Sequence, residues 1–487
     1  MVRVSPVYQG PVAPVPPPAQ HPAAVPDAAA GDAAAAMVLG QGAPVVTVDH
    51  RAAVEIKRQV NEQLIKEAKR NPTLGDASGT PRQQRARALI NERVMLWADG
   101  EATRTRAPVP PGAEQALASL VFDMLFRAGR LQRLLDDDRI EDIYINGHDR
   151  VSVKLAGGTD PVPTEPVAES EEELQELVRD LIRTSGQGGR TFSTAAPEVA
   201  LRLRDGSRLQ AIGPEITGGS TYVTIRRHRL LDSNLADLVR RGMLDQGLAD
   251  LLAAAVRARR NLIIVGEQSA GKSSMLRALL REIPQHERFG TIETEFELWA
   301  HRNGYHTQVV PMEARESNGE RVGGRAAGEI TPLDLMYRAK RMSLTRTILG
   351  EVRGPEITAM MQAMTSDRPG NMCTMHASEP HAVFDRIAEL YLLARGNFSE
   401  QLAYRQIANG LHFVVFLSVA ENGTSKQRFV SHVWELSGIG EGGRPAYNEV
   451  YGPASDWDQR AVPRTPLSPS MRRRLAQVGY GTGEVVV

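Results

Sequence analysis

Residues 261–280 read NLIIVGEQSAGKSSMLRALL: an apolar run, a loop with a glycine at each end, and Lys-Ser-Ser entering an apolar-periodic segment. The run Leu262 to Val265 predicts a strand. Met275, Leu276, Leu279, Leu280 and Ile283 recur at helical spacing and predict a helix with one buried face. Between them Gly266, Gly271, Lys272 and Ser273 fit G-x-x-x-x-G-K-[ST], in the strand–loop–helix context that this spacing requires. Glycines let the backbone curl so that the N–H groups of the loop, through Ser269 and Ala270 to Ser274, point inward at phosphate oxygens. The helix N-terminus adds a partial positive charge. Lys272 can reach β- and γ-phosphates, and the Ser273 hydroxyl can ligate Mg²⁺. The plainer reading is a glycine-rich turn before a core helix, and the matched context weighs against it.

At 487 residues the chain is too long for one compact core, so two or three domains are expected. Lys+Arg and Asp+Glu both number 58, a balance that argues against a protein whose main task is coating nucleic acid. A single cysteine, Cys373, excludes a disulfide framework or a cysteine zinc site within one chain and fits a reducing, cytosolic setting. No run approaches the roughly 20 apolar residues of a membrane span, so membrane association is expected to come through partners.

Residues 1–47 are rich in Pro and Ala and predict a disordered leader. From 48 to 135 the pattern is helical: Ala53, Ile56, Val60 and Leu64 share a face, a second helix is expected over 82–98, and Leu117, Leu120, Val121, Met124 and Leu125 line a third. A small helical bundle follows from these. Over 136–229, DIYINGHDRVSVKL alternates around Asn-Gly as a hairpin, a helix covers 170–185, EVALRLRDGSRLQAIG turns at Asp-Gly, and TYVTIRR is a strand, which together make an α+β domain. A helical segment over 235–258 then leads into alternating strands and helices, the pattern of a parallel sheet, with LHFVVFLS and RFVSHVWEL as an antiparallel finish before 450. Residues 451–487 read as a tail with one short helix over 468–478, capped by Ser468, started by Pro469 and stopped by Gly479.

The loop alone does not choose between a kinase, a GTPase and a motor. In RTILGEVRG an apolar strand, Thr347 to Leu349, ends at Gly350-Glu351. A carboxylate ending a strand beside the strand of the loop is where a nucleotide hydrolase orients its water. A buried strand ending in a solvated Glu is an equal reading of that stretch by itself. The usual acid–acid pair is Gly-Glu here, which removes one carboxylate contact to the metal.

Taken together the motifs resemble the type II/type IV secretion ATPase superfamily, and within it the tight-adherence (Flp) pilus assembly ATPases, over roughly residues 48–450. IEDIYINGHDRVSV and LRLRDGSRLQAIGPEITGGSTYVTIRRH resemble the ends of its N-terminal domain, and GEQSAGKSS is similar to its Walker A loop. TIETEFEL with PMEARESNGERVGGRAAGEIT resembles its Asp box, RAKRMSLTRTILGEVRGPE its Walker B region and GNMCTMHASEP its His box. The resemblance implies an α/β architecture: a P-loop, RecA-like C-terminal ATPase domain preceded by the α+β domain and the bundle. It implies Mg²⁺-dependent ATP hydrolysis, a homo-oligomeric ring (a hexamer), and an inner-membrane platform protein as partner, with the chain on the cytoplasmic side of that membrane. It makes Glu351 the water-polarising Walker B residue, Glu293 and Glu297 the Asp-box acids, and His376 the His-box group near the γ-phosphate. Arg208 and Arg226 would reach the phosphates from the N-terminal domain; Arg338, Arg341 and Arg353 are candidate inter-subunit contacts.

The chain departs from the family pattern in two places. Thr294 follows Glu293 where the Asp box reads Glu-Asp, which leaves Glu295 or Glu297 to cover the metal side; Ser378 replaces an Asn in the His box. Outside that frame, the His in CTMHAS is a satisfied turn histidine, the arginines of TIRRHR are a solvated strand end, and Cys373 is a small buried apolar residue. Two other functions remain open at this stage. One is a conjugation-type ATPase handling DNA or effector proteins, with direct nucleic-acid binding disfavoured by the neutral net charge; the other is a nucleotide-binding scaffold with little turnover.

Overall fold

The computed structural model describes residues 49–481, apart from 77–78, 187–189, 228–232, 316–320, 323–324, 327, 395 and 423–424. Contacts divide the chain into Met1–Thr47 and Val48–Val487. The expected leader lies outside the described residues, and the fold that follows is that of the second unit.

Three helices, α1 (His50–Ala68), α2 (Thr80–Thr105) and α3 (Ala113–Phe126), bury Ala53, Ile56, Val60 and Leu64 against Leu89, Ile90, Val94, Leu117 and Val121. Asp49 caps α1 by accepting from the Ala52 N–H. Helix α2 outruns its expected end at 98 because apolar periodicity reports only the packed part. Beyond Ala98 the helix is exposed and held locally, by the Arg104–Glu101 pair and by Thr103 Oγ1 donating to the Asp99 carbonyl. A short α4 (Gln132–Asp136) leads into the next layer.

Six strands form one antiparallel sheet in the order β3-β2-β1-β6-β5-β4: β1 (Ile140–Asn146), β2 (Val151–Leu155), β3 (Val162–Thr164), β4 (Glu198–Arg202), β5 (Arg208–Ile212) and β6 (Tyr222–Arg226). Both expected hairpins are present, and α5 (Glu171–Ser185), capped by Ser170, falls where the 170–185 helix was expected. Period-2 alternation puts Ile143, Ile145, Leu209, Ala211, Val223 and Ile225 on the buried face. The opposite face carries a cross-strand row, Arg202–Arg208–Arg226–Asp142, fixed by register.

The expected helical segment 235–258 is two helices, α6 (Leu235–Arg240) and α7 (Gln246–Arg257). Gly242, at φ +70°, ends the first while the Met243 N–H returns to the Leu238 carbonyl, and Asp245 caps the second. The strands that follow are β7 (Leu262–Gly266), β8 (Phe289–Glu293), β9 (Val309–Glu313), the short pair β10 (Arg321–Val322) and β11 (Arg325–Ala326), β12 (Arg346–Val352), β13 (Met372–His376), β14 (Phe413–Asn422), β15 (Ser425–Ile439), β16 (Pro445–Pro453) and β17 (Ala461–Pro463). All but β10 and β11 form one sheet in the order β17-β16-β15-β14-β7-β13-β12-β8-β9. From β14 to β9 it is parallel, and from β14 to β17 antiparallel, as expected for the late strands.

Helices cover both faces, so the central strands are apolar throughout. Leu262 and Ile264 of β7 pack among α6, α7 and α8 (Lys272–Leu280). Ile263 and Val265 pack among α9 (Pro332–Ala339), α10 (Glu356–Met364), α11 (Ala382–Leu393) and α12 (Glu400–Gly410).

Two expectations change here. The strand ending at Glu351 is not beside β7: β13 lies between them, pairing with both. Buried parallel strands look alike in sequence, and their neighbours are chosen by crossover packing that periodicity does not report. The stretch expected as a tail closes the sheet instead. β16 crosses residue 450, β17 pairs with it, and α13 (Pro469–Ala476) places Met471 and Leu475 in the same core as Leu262. Buried Glu435 accepts from the Ser468 N–H at 2.9 Å and anchors the start of α13. Leu475→Ala, at a fully buried side chain, is therefore expected to cost about 2–4 kcal/mol in chemical denaturation. A loss below about 0.5 kcal/mol would show that the helix is not part of this core.

Candidate functional site

The loop from β7 to α8 is built on conformations that side chains disfavour. Gly266 has φ +151°, and a Cβ there would lie 2.3 Å from the Leu417 carbonyl oxygen of β14. Gly271 has φ +95°, with a Cβ position 2.7 Å from Met243 Cε, and Ser269 between them is left-handed at φ +63°. Ala270 is buried. Helix α8 starts at Lys272 with Gly271 as its cap and no side chain bonded to its first amides, whereas α1, α5, α6, α7, α9, α12 and α13 all carry a Ser, Thr, Asn or Asp cap. The amides of Lys272, Ser273 and Ser274 thus have no intrahelical acceptor at the mouth of the loop.

Lys272 is almost fully buried and donates to the carbonyls of Gly266 (3.0 Å) and Glu267 (2.7 Å). Burial lowers its pKa to about 8; the Glu351 carboxylate opposes that shift and the Arg226 guanidinium adds to it. Its Nζ lies 3.1 Å from His376 Nδ1, and His376 Nε2 lies 3.0 Å from Glu351 Oε1. Burial first, then the Lys272 charge, holds the His376 pKa below its ordinary value, against the pull of Glu351. A neutral ring accepting at Nδ1 and carrying its proton on Nε2 is the tautomer that this geometry assigns. The second Glu351 oxygen is 2.6 Å from Arg353 Nη2. The interposed β13 ends at His376, which spans the gap between the loop lysine and the β12 carboxylate.

Ser273 Oγ donates to Glu297 Oε2 at 2.8 Å. Glu293, at the end of β8, accepts the N–H groups of Glu297 (2.7 Å) and Leu298 (2.8 Å) on Oε2, while its buried Oε1, near the Thr291 side chain, has no hydrogen-bond partner of good geometry among the described residues. A Cβ at Gly350 would come 2.9 Å from Glu293 Cγ. The space beside the Gly-Glu pair is thus filled by the side-chain methylenes of Glu293 on the neighbouring strand, which accounts for the glycine. Glu295 does not face Ser273; it pairs with Arg208 at 2.8 Å.

Burial raises the Glu293 pKa to about 7, against the two amides that stabilise its charge. The folded protein then keeps a proton that the unfolded chain releases near 4.5, so stability falls as pH rises from 4.5 to 7. Glu293→Gln removes that slope. Nucleotide-free wild type should lose up to about 3 kcal/mol relative to the variant between about pH 5 and about pH 8 in denaturant titrations. Equal pH profiles would sink this reading.

Arg208 and Arg226, both expected at the site, come from the polar face of the N-terminal sheet. Arg202 of the same row was missed: it pairs with Glu313 of β9 and lies over the rings of Phe296 and Trp299 at 5.1 and 5.3 Å. Hairpin arithmetic could have found it, because 202 and 208 are partners across the Asp-Gly turn. Arg428 of β15, donating to the Ser269 carbonyl at 2.8 Å, had no local signal. Arg338 and Arg341 are exposed at the end of α9 and are not brought to this cluster within the chain. Cys373 is buried, and burial pushes its thiol pKa up, as expected of an inert core residue.

Residues 202–428 match the family model described as "Type II/IV secretion system protein". A Mycobacterium tuberculosis protein named for conjugal transfer is 30% identical over 326 residues, covering 65% of this chain and 87% of its own length. The type IV secretion system protein VirB11 of Brucella suis is 26% identical over 348 residues, covering 66% of this chain and 92% of its own. Among solved structures, the Brucella suis VirB11 ATPase in complex with sulphate superposes with a TM-score of 0.33 at 24% identity, over 63% of this chain and 95% of its own. The Legionella pneumophila ATPase DotB gives 0.45 at 15% identity, over 61% and 78%.

Proposed function

From the premise that the chain belongs to the type II/IV secretion system protein family, we propose that it is an ATP-hydrolysing motor of a secretion or pilus-assembly machine. The observation that carries this is the line Lys272–His376–Glu351, set at the ends of adjacent parallel strands beside an uncapped helix start. The cradle fits a polyphosphate: its two glycines leave no room for a Cβ, and its free amides and lysine supply the positive charge. Ser273 Oγ, Glu297 and the unpartnered Glu293 Oε1 are hard oxygen donors of the kind that Mg²⁺ takes. Bound there, the cation would neutralise charge on the β- and γ-phosphates.

The chain's own residues divide the work. Lys272 exchanges its loop carbonyls for phosphate oxygens. Glu351, held on one side by His376 and on the other by Arg353, orients water for attack on the γ-phosphorus. His376 passes the electrostatic state of Lys272 to Glu351. Arg208 and Arg226 close from the N-terminal sheet, and domain closure then couples turnover to movement of a partner. The finer expectations, a hexameric ring on the cytoplasmic side of the inner membrane that works on a platform protein in a tight-adherence pilus, belong to this proposal. Among the described residues no helix is long and apolar enough to cross a membrane, in keeping with a partner as the membrane contact.

The test is phosphate release with ATP and Mg²⁺. Wild-type turnover that disappears in Lys272→Ala at the same oligomeric state supports the proposal. Wild-type ATP binding and ring formation without release, also in the presence of membranes carrying its partners, would replace it with a scaffold role. The 30% identical relative named for conjugal transfer favours a second reading, in which the cargo is DNA or its protein escort. Gel-shift titrations across salt separate the two, since phosphate contacts weaken steeply as salt rises.

A further inference from the structure

The N-terminal sheet touches the P-loop domain on both sides of the loop. On the β8–β9 side stand the pairs Arg208–Glu295 and Arg202–Glu313. On the β14–β15 side the contact is of another kind, because it includes the loop itself. Arg428 Nε donates to the Ser269 carbonyl at 2.8 Å, its Nη2 lies 3.4 Å from Glu141 Oε1, and its Cδ lies 3.6 Å from where a Gly271 Cβ would be. Close by, the Lys426 N–H donates to the Gly157 carbonyl beyond β2.

Glu141 is placed for this contact by an irregularity of β1. Register steps from Ile140↔Leu155 to Asp142↔Lys154, so Glu141 is an extra residue opposite a single step of β2. Such bulges re-aim a side chain out of the regular alternation. Its second oxygen, Oε2, is buried without a hydrogen-bond partner among the described residues, so the carboxylate depends on Arg428 for compensation. Ser269, whose carbonyl receives the other arm of Arg428, is a non-glycine residue held in the left-handed region. Such a conformation persists only where its surroundings impose it.

We propose that Arg428 is a positioning residue that ties the shape of the phosphate loop to the docking of the N-terminal domain, through a Glu141–Arg428–Ser269 carbonyl relay. This rests on the reading of the loop as a nucleotide cradle. The guanidinium is suited to the task because its Nε and Nη2 serve two acceptors at once in a fixed plane, which an ammonium cannot do. The carboxylate of Glu141 aims the guanidinium, and the guanidinium holds the Ser269 carbonyl, so that the following amides face the phosphates. When the N-terminal sheet moves off β15 the carboxylate leaves and the loop loses its brace. Nucleotide affinity and domain position are then linked by one side chain, independently of the arginines that reach the phosphates directly.

The test uses the full chain as wild type, Glu141→Gln, Arg428→Ala, Arg428→Lys and the Glu141→Gln/Arg428→Ala double variant. Amide hydrogen exchange of residues 266–274 is read without nucleotide, and ATPγS affinity by titration. Glu141→Gln is expected to speed loop exchange and to weaken ATPγS about threefold to tenfold, although residue 141 meets the loop only through Arg428. Arg428→Ala does the same, Arg428→Lys follows Ala rather than wild type, and Glu141→Gln adds nothing once Arg428 is gone. Loop exchange and affinity unchanged in Glu141→Gln, or effects of the two substitutions that add in full, would overturn the relay. Should Arg428→Ala not fold, the near-isosteric Glu141→Gln decides by itself. Absence of ATPγS binding by the wild-type chain would instead overturn the nucleotide reading, while the exchange measurements still judge the relay.

Discussion

Glu351→Gln is expected to lower steady-state phosphate release at least about a hundredfold and to leave ATPγS affinity within about threefold of wild type. Gln keeps the volume of the side chain and a polar atom at the position 3.0 Å from His376 Nε2, so the end of β12 need not move. What is lost is the charge that aligns water, together with the ion pair to Arg353 at 2.6 Å. In the proposed function the phosphate contacts come from Lys272 and the loop amides, which Gln does not touch. The effect therefore belongs in kcat. A loss confined to affinity would make Glu351 a binding group and move the water-orienting role to Glu293 or Glu297, whose carboxylates lie on the Ser273 side.

Gly266→Ala should be the most damaging Gly→Ala substitution among the described residues. The new methyl group would meet the Leu417 carbonyl at 2.3 Å, and that oxygen belongs to the backbone of β14, paired with β7 through the register Leu417↔Gly266. No side chain can rotate away, so two central strands must part or the loop must rebuild. A cost of about 3 kcal/mol, with at least tenfold weaker ATPγS binding, is the expected outcome. Gly218→Ala is the control: φ is +78° there, but nothing among the described residues lies within 4 Å of the added carbon. That variant isolates the backbone term, about 1 kcal/mol, in the turn between β5 and β6. If the two variants melt together, close approach of β14 is not what requires glycine at 266.

What could be read from the chain was whatever is local. The phosphate loop was legible because strand, glycines, Lys-Ser and helix occupy twenty consecutive residues, 261–280, and their backbone requirements travel with them. The hairpins at Asn-Gly and Asp-Gly, the helix over 170–185 and the capped helix at Ser468 were legible for the same reason. Apolar periodicity failed where packing was not involved, as in the exposed end of α2 beyond Ala98. It also failed where one helical pattern hid a glycine stop at Gly242.

By itself, then, the sequence determined the layers and the strand–loop–helix with its glycines, since turn geometry, capping and burial period act between near neighbours. Only the tertiary structure decided which residues meet there. It inserted β13 between β7 and β12, so that His376 joins Lys272 to Glu351. It filled the place beside Gly350 with Glu293. It brought Glu141 of the N-terminal sheet to Arg428 of the nine-stranded sheet, 287 residues away. The order of strands in a sheet and the partner of a buried charge are settled by the packing of whole layers and by desolvation, and no window of the chain contains those terms.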